Sequence, residues 1–425
     1  MTPEKLQATI ADHVERRRAR LIELTRDLVR IPSENKAPHG SEFACQQYVA
    51  GVLRAAGWSP ELYELSEVEG LASHPLYLAG RDYAGRPNLG ARLRGAGNGR
   101  SLVLSGHIDT VPAGTQPWTR DPFGGEVEEN RIYGRGSNDM KAGVATNLFV
   151  VEALRELGLR LRGDLVFETV VDEEFGGVNG TLAGRLKGFN ADAAIISEPS
   201  FLRICPAQRG GRTAHITFRA PGGVLTEGRF PGAAVAQLTR FLSAVPEFAA
   251  ARRRKVKPHE LYADSPDPVP VSVTKVFTAP WGTGEPMTIP EECRVELYWQ
   301  LMPGETQAEV EREFFEWLDG VSGSDQPQVR FPIRWMPGSA ISKSEPLVRE
   351  LADCAARVLG SAPPIAGIEG PCDMYVFHQA FSIPAVLWGP RGGNTHAADE
   401  YVEIDSLVQA AKTLLLFVCE WCDIV

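Results

Sequence analysis

The chain has 425 residues, of which 43% are hydrophobic and 23% charged, with a formal net charge of −10. Such a length exceeds one ordinary core, so two domains, or one interrupted by another, are expected of a soluble globular protein. The acidity argues against nucleic acid and anionic membrane partners, no apolar run approaches the roughly 20 residues of a bilayer span, and the charged N-terminal stretch around Arg16–Arg18 lacks a secretory core. Seven scattered cysteines, an odd number, suit reduced thiols and a cytoplasmic location. Cys419 and Cys422 form a C-x-x-C without a second pair and read as helix-end packing.

Leu21, Leu24, Leu28 and Val29 recur at helical spacing and predict a helix over 3–30, stopped by Pro32. A second helix over 41–56 turns Phe43, Tyr48, Val52 and Leu53 inward and ends at Gly57. Short strands are expected at 59–64 and 88–94. The apolar run 102–106 predicts a buried strand that delivers His107 and Asp109 where it stops. Side chains two apart on extended backbone point the same way, so the pair suits a metal-binding imidazole oriented by a carboxylate.

An irregular loop over 111–136 closes with Tyr133-Gly-Arg-Gly-Ser-Asn-Asp139-Met-Lys-Ala-Gly143 and enters a helix over 144–157. This run is neither a P-loop nor a dinucleotide fingerprint, and alone Asp139 reads as a helix cap. The strand 164–171 emerges at Asp172-Glu173-Glu174-Phe-Gly-Gly, where three adjacent carboxylates beside an apolar strand end need a cation or a proton to coexist. The strand 191–196 ends at Ser197-Glu198-Pro199.

From Pro206 the pattern changes to strand (213–220), helix (231–245), two strands (269–277 and 293–301), helix (306–318) and strand (328–335). This βαββαβ order predicts a ferredoxin-like α+β domain inserted over 207–337 into a main domain built from 1–206 and 338–425. The basic residues Arg252, Arg253, Arg254, Lys255 and Lys257 fall in the connection 250–270 and read as a solvated face. The main domain resumes with a helix over 346–359, a strand over 385–388, the run Gly389-Pro-Arg391-Gly-Gly-Asn394-Thr-His396, and a final helix over 406–419. The expected class is α/β, with a mixed-sheet α/β/α main domain.

His107, Asp139, Glu174, Glu198 and His396 form a mixed nitrogen and oxygen set that suits Zn²⁺ and could take Co²⁺ or Mn²⁺. Five ligands are too many for one tetrahedral zinc, whereas two ions sharing a carboxylate would use them all. The runs Ser105-Gly-His-Ile-Asp-Thr-Val-Pro, Tyr133-Gly-Arg-Gly-Ser-Asn-Asp-Met-Lys, Asp172-Glu-Glu-Phe-Gly-Gly and Ser197-Glu-Pro, with His396 and Glu400, resemble the di-zinc metallopeptidase family of acetylornithine deacetylase, succinyl-diaminopimelate desuccinylase, aminoacylase and glutamate carboxypeptidase. The resemblance implies a zinc-peptidase-like main domain with one ion on His107 and Glu198, a second on Glu174 and His396, and Asp139 bridging them. It also implies that Asp109 orients His107 and that Glu173 is the general base for a metal-bridging water in amide hydrolysis.

By that resemblance the substrate is a small molecule, an N-acyl amino acid or related amide. Glu198, rather than Asp, leans towards deacylases and carboxypeptidases and away from aminopeptidases. A carboxypeptidase or dipeptidase of the same family is the alternative, a non-catalytic metal-dependent binding protein is a third reading, and homodimerisation through the inserted domain is a further expectation. Three substrate-facing positions of the family's inserted domain differ here: Pro221–Gly228 has no His, Met287 stands near the usual Asn, and Tyr298-Trp-Gln300 replaces Asp-x-Arg. His215 reads as structural. Arg391 and Asn394 become the candidates for gripping a substrate carboxylate or carbonyl.

Overall fold

A computed structural model of the chain describes residues 2–224, 233–279, 288–323 and 325–425. Its contacts group Met1–Ala207, Ala340–Ile368 and Cys372–Val425 into one unit, and Gln208–Ser339 with Glu369–Pro371 into another. No helix of the described residues is long and apolar enough to cross a membrane.

In the first unit the strands Leu102–Ser105, Leu165–Thr169 and Ala193–Ile196 are buried along their whole length, as strands covered on both faces must be. Alternate residues serve opposite faces. Leu102, Leu104, Leu165 and Phe167 join the large core under the helices, while Val103, Val166, Ala194 and Ile196 pack with Met374 and Phe377 on the other side. The sheet runs in the order Ala385–Leu387, Ala193–Ile196, Leu102–Ser105, Leu165–Thr169, Asn88–Leu93, Glu61–Tyr63. Its first four strands are parallel and the last two pair antiparallel, so the sheet is mixed.

The helix expected over 3–30 is two helices, Pro3–Arg16 and Arg18–Arg30, divided where the Arg17 guanidinium turns to Glu156. Phe43, expected inside, is 45% exposed. It opens the helix Phe43–Ala55, ahead of the buried stripe Cys45, Val49, Val52 and Leu53. The helix Asn179–Leu186 and a small antiparallel sheet were not anticipated. In that sheet Tyr401–Glu403 lies between Gly392–Gly393 and Arg131–Tyr133, which pairs in turn with Glu126–Glu128. All seven cysteines are buried free thiols, Cys419 and Cys422 at the end of the last helix among them.

The second unit has the antiparallel order Val271–Phe277, Glu292–Leu301, Gly210–Arg219, Gln328–Arg330. Helices Ala233–Lys255 and Gln307–Ser322 cover one face, burying Ile216, Phe218, Val295, Leu297 and Trp299 against Phe241, Phe248 and Phe314. This is the βαββαβ arrangement. The first helix continues through Pro246 and absorbs Arg252, Arg253, Arg254 and Lys255, which were expected in a loop. Arg252 is not on a solvated face: it is buried and donates to Glu305 and Glu313, cations at a helix C-terminus being favourable in any case. The expected helix start at Pro231, the stretch Leu225–Gly228 and Met287 lie outside the described residues. His215 is held within its own sheet, with Nε2 2.8 Å from Glu296 and Nδ1 accepting from Arg330 at 3.2 Å.

Trp299 stacks on Phe314 at 5.1 Å and meets Phe248 edge-on at 6.0 Å. Trp299→Ala should therefore cost about 3–5 kcal/mol of stability in denaturant unfolding. Burial alone would raise the Glu296 pKa, but Lys275, Thr274 and His215 outweigh it and bring the group from 4.5 to about 2. A carboxylate depressed in the folded state contributes stability above its unfolded pKa and loses it as pH falls towards the folded one. Acidification over that window should accordingly lower the melting temperature of the parent more than that of Glu296→Gln.

Candidate metal centre

Each predicted ligand is set by a strand end or by a turn pinned to one. His107 follows Leu102–Ser105 after Gly106, and a parallel bridge to Val170 keeps it in register with the neighbouring strand. Its Nδ1 lies 2.9 Å from the Asp109 main-chain oxygen and 3.6 Å from the Asp109 carboxylate. The shorter bond is thus to the carbonyl, where the sequence pointed to the carboxylate. The opposite nitrogen, Nε2, faces Asp139 Oδ1 at 3.0 Å and Glu198 Oε1 at 3.6 Å. The Asp109 carboxylate instead accepts from Asn35 Nδ2 at 2.8 Å and from the N–H groups of Glu173 and Glu174 at 3.2 Å each.

Asp139 sits on an irregular helical turn, Ser137–Lys141, entered through Gly136 at φ 78°. The buried Glu400 carboxylate accepts from the N–H groups of Gly136, Asn138 and Asp139 at 3.0–3.1 Å and from the Arg135 guanidinium. So held, Asp139 presents Oδ1 to His107 and Oδ2 to His396, 3.2 Å from its Nε2. His396 belongs to the loop between Gly392–Gly393 and Tyr401–Glu403 and has φ 62°. Asn138 Nδ2 ties that loop to the Asp139 turn by donating to Thr395 at 2.7 Å. The His396 side chain is 48% exposed, and its Nε2 is also 2.9 Å from Glu174 Oε2. Glu198 is reached by close backbone approach: a Cβ on Gly143 would stand 1.8 Å from the Ser197 oxygen, and one on Gly389 2.2 Å from the Glu198 oxygen. Only glycine fits either position.

The structure thus brings His107, Asp139 and Glu174 within 4.8 Å of one another through one ligand atom each, and likewise His107, Glu173 and Glu198. Burial first, then the charge of Asp139, pushes the Glu174 pKa up to about 7. Burial also drives Glu173 and Glu198 well above the usual carboxylate range, with neighbouring carboxylates adding to it. For Asp139 burial acts in the same sense, but bonds from both histidines win and its pKa falls. Burial works against the charged imidazoliums, yet Glu198, Asp109 and Asp139 raise His107, and Asp139 and Glu174 raise His396. Buried carboxylates that compete for protons, with imidazole nitrogens aimed among them, are a donor set that fits divalent cations.

Arg391 and Asn394 bond to main-chain oxygens outside this cluster. Arg391 is exposed with Nε 3.4 Å from the Phe201 oxygen, and Asn394 Nδ2 donates to the Asp399 oxygen within its own loop at 3.0 Å. Sequence reasoning gave no role to Glu400, although its place four residues after His396 was a signal. It passed over Asn35, and it left unplaced the segment carrying Arg81 and Tyr83, both of which donate to the buried Asp172 carboxylate. No spacing advertised those residues.

Ligand-type side chains gathered at the C-terminal ends of parallel strands are the arrangement expected of a metal-dependent hydrolase. Residues 103–420 match the model of peptidase family M20/M25/M40, and the chain belongs to that family. It is 27% identical to the N-formyl-4-amino-5-aminomethyl-2-methylpyrimidine deformylase of Halalkalibacterium halodurans, over 97% of this chain and 96% of that one. It is 28% identical to the succinyl-diaminopimelate desuccinylase of Methylobacterium radiotolerans, over 91% and 93%. Its fold is that of human carnosine dipeptidase 1, with a TM-score of 0.75, 18% identity and coverage of 98% and 99%.

Because Glu400 collects the amides that aim Asp139, Glu400→Gln should weaken metal binding by about 10–100-fold while the protein stays folded. Calorimetric titration of chelator-treated protein with Zn²⁺ measures this; an affinity equal to the parent's would remove Glu400 from the centre.

Proposed function

We propose that this enzyme is a deacylase that hydrolyses the amide of a small N-acyl amine or N-acyl amino acid, with Glu173 as general base. The observation that carries this reading is the division of labour between adjacent glutamates. Glu174 is engaged by His396 and by the Val111 N–H at 3.2 Å, whereas Glu173 faces the other ligand group, beside His107 and Glu198. His107 and Glu198 would hold one divalent ion, Glu174 and His396 a second, and Asp139 both. Zn²⁺ is our first assignment, with Co²⁺ and Mn²⁺ as substitutes. Such a pair of ions supplies, when bound, a lowered pKa for water and polarisation of the scissile carbonyl. Glu173 takes the proton of the attacking water and returns it to the leaving nitrogen, a task suited to a carboxyl whose burial raises its proton affinity. Asp109 keeps the backbone of both glutamates in place meanwhile.

The deformylase and desuccinylase names of the relatives support acyl–nitrogen cleavage over cleavage of a peptide bond. We assign the second unit as the surface for a second copy. Among the described residues its edge strand Val271–Phe277 pairs on one side and leaves Val276 and Phe277 half exposed, as an edge awaiting a partner strand would. The free thiols support action in the cytoplasm.

Glu173→Gln should lower kcat by about 10²–10⁴-fold with metal content unchanged. Chelation should abolish turnover and Zn²⁺ restore it. A panel of N-formyl amines, N-succinyl amino acids and unblocked dipeptides reads the substrate class: turnover of dipeptides alone would replace the deacylase by a dipeptidase.

A further inference from the structure

Asp109 and Asp172 end neighbouring strands, and both carboxylates are fully buried. Their common neighbour is Asn35. Its Nδ2 lies 2.8 Å from Asp109 Oδ2 and 3.1 Å from Asp172 Oδ1, so one amide group donates to both. The remaining acceptor capacity of each carboxylate is spoken for separately. Asp109 takes the N–H groups of Glu173 and Glu174, and Asp172 takes the Arg81 guanidinium and, at 2.6 Å, the Tyr83 hydroxyl.

Asn35 is itself held by backbone. Ser33–Asn35 runs beside Ile108–Thr110, with Asn35 N–H donating to the Thr110 oxygen at 2.8 Å and Thr110 N–H to the Ser33 oxygen at 3.0 Å. The Ser33 hydroxyl adds a bond of 2.6 Å to the Ile108 oxygen. The orientation of the amide is not arbitrary: turned over, its oxygen would face two carboxylates. In the orientation present, Asn35 Oδ1 is buried without a hydrogen-bond partner among the described residues. A buried acceptor left unmatched costs stability, so the side chain is placed for what its NH₂ group does.

We propose that Asn35 is a positioning residue for catalysis. By drawing Asp109 and Asp172 onto one donor it sets the Glu173–Glu174 turn against His107, and it does so without touching substrate. This rests on the reading of Glu173 as base and of His107 and Glu174 as ligands. Asn35→Leu keeps the bulk and removes the donor, Asn35→Ala removes the side chain, and Asn35→Ser keeps one donor.

If the donor is what matters, Leu and Ala variants should both lose on the order of 10–100-fold in kcat with KM little changed, and in Zn²⁺ affinity of the chelator-treated protein measured by calorimetry. The Ser variant should recover part of both losses. A packing role predicts another order, in which Ala and Ser are worst, Leu is close to the parent, and activity tracks the melting temperature. That order, or parental kcat and Zn²⁺ affinity in the Leu variant, would overturn the proposal. Should Glu173→Gln stay active, the base assignment fails instead, and the Zn²⁺ titrations still test Asn35.

Discussion

Acidic side chains crowd together at one end of a buried sheet, and the way each finds a partner shapes everything around it. Asp109, Asp172 and Glu400 are satisfied by the protein itself: two backbone N–H groups and an amide for the first, a guanidinium, a phenol and the same amide for the second, three N–H groups of one turn and an arginine for the third. Asp139, Glu174 and Glu198 instead meet imidazoles. The first set is a frame and the second a donor set fit for a cation, and desolvation enforces the distinction, because a buried carboxylate without donors must find a cation or a proton.

Much of this could be read from the residues alone. Continuous apolar runs revealed the parallel strands, and their ends carried the candidate ligands, since active sites of open α/β sheets gather there. The order of strands and helices in the inserted unit was equally plain, each element being long enough to show a period. What escaped detection was short or non-local. The strands Arg131–Tyr133 and Tyr401–Glu403 have three residues each, too few to display alternation. The helix that runs through Pro246 is held by contacts of Phe248 and Arg252 with partners more than forty residues away, which no local propensity reports. Asn35 and Glu400 act on backbone amides and on other carboxylates, and such partnerships leave no mark on spacing. Arg391 was singled out because it stands near His396 in sequence, and its Nε bonds to the Phe201 oxygen.

The comparisons divide along the same line. Human carnosine dipeptidase 1 shares the architecture at 18% identity, which speaks to scaffold and not to substrate. The two relatives near 27% cover almost the whole chain, yet their names differ in acyl group and in amine. Within this family a common hydrolytic centre is evidently compatible with varied surroundings.

The small sheet that pairs Arg131–Tyr133 with Tyr401–Glu403 brings His396 and Glu400 to a turn laid down far earlier in the chain. The Asp139 turn is thus made long before the carboxylate that gathers its amides and the imidazole that faces it. A cation held between Asp139 and His396 would clasp together two segments that the chain lays down far apart.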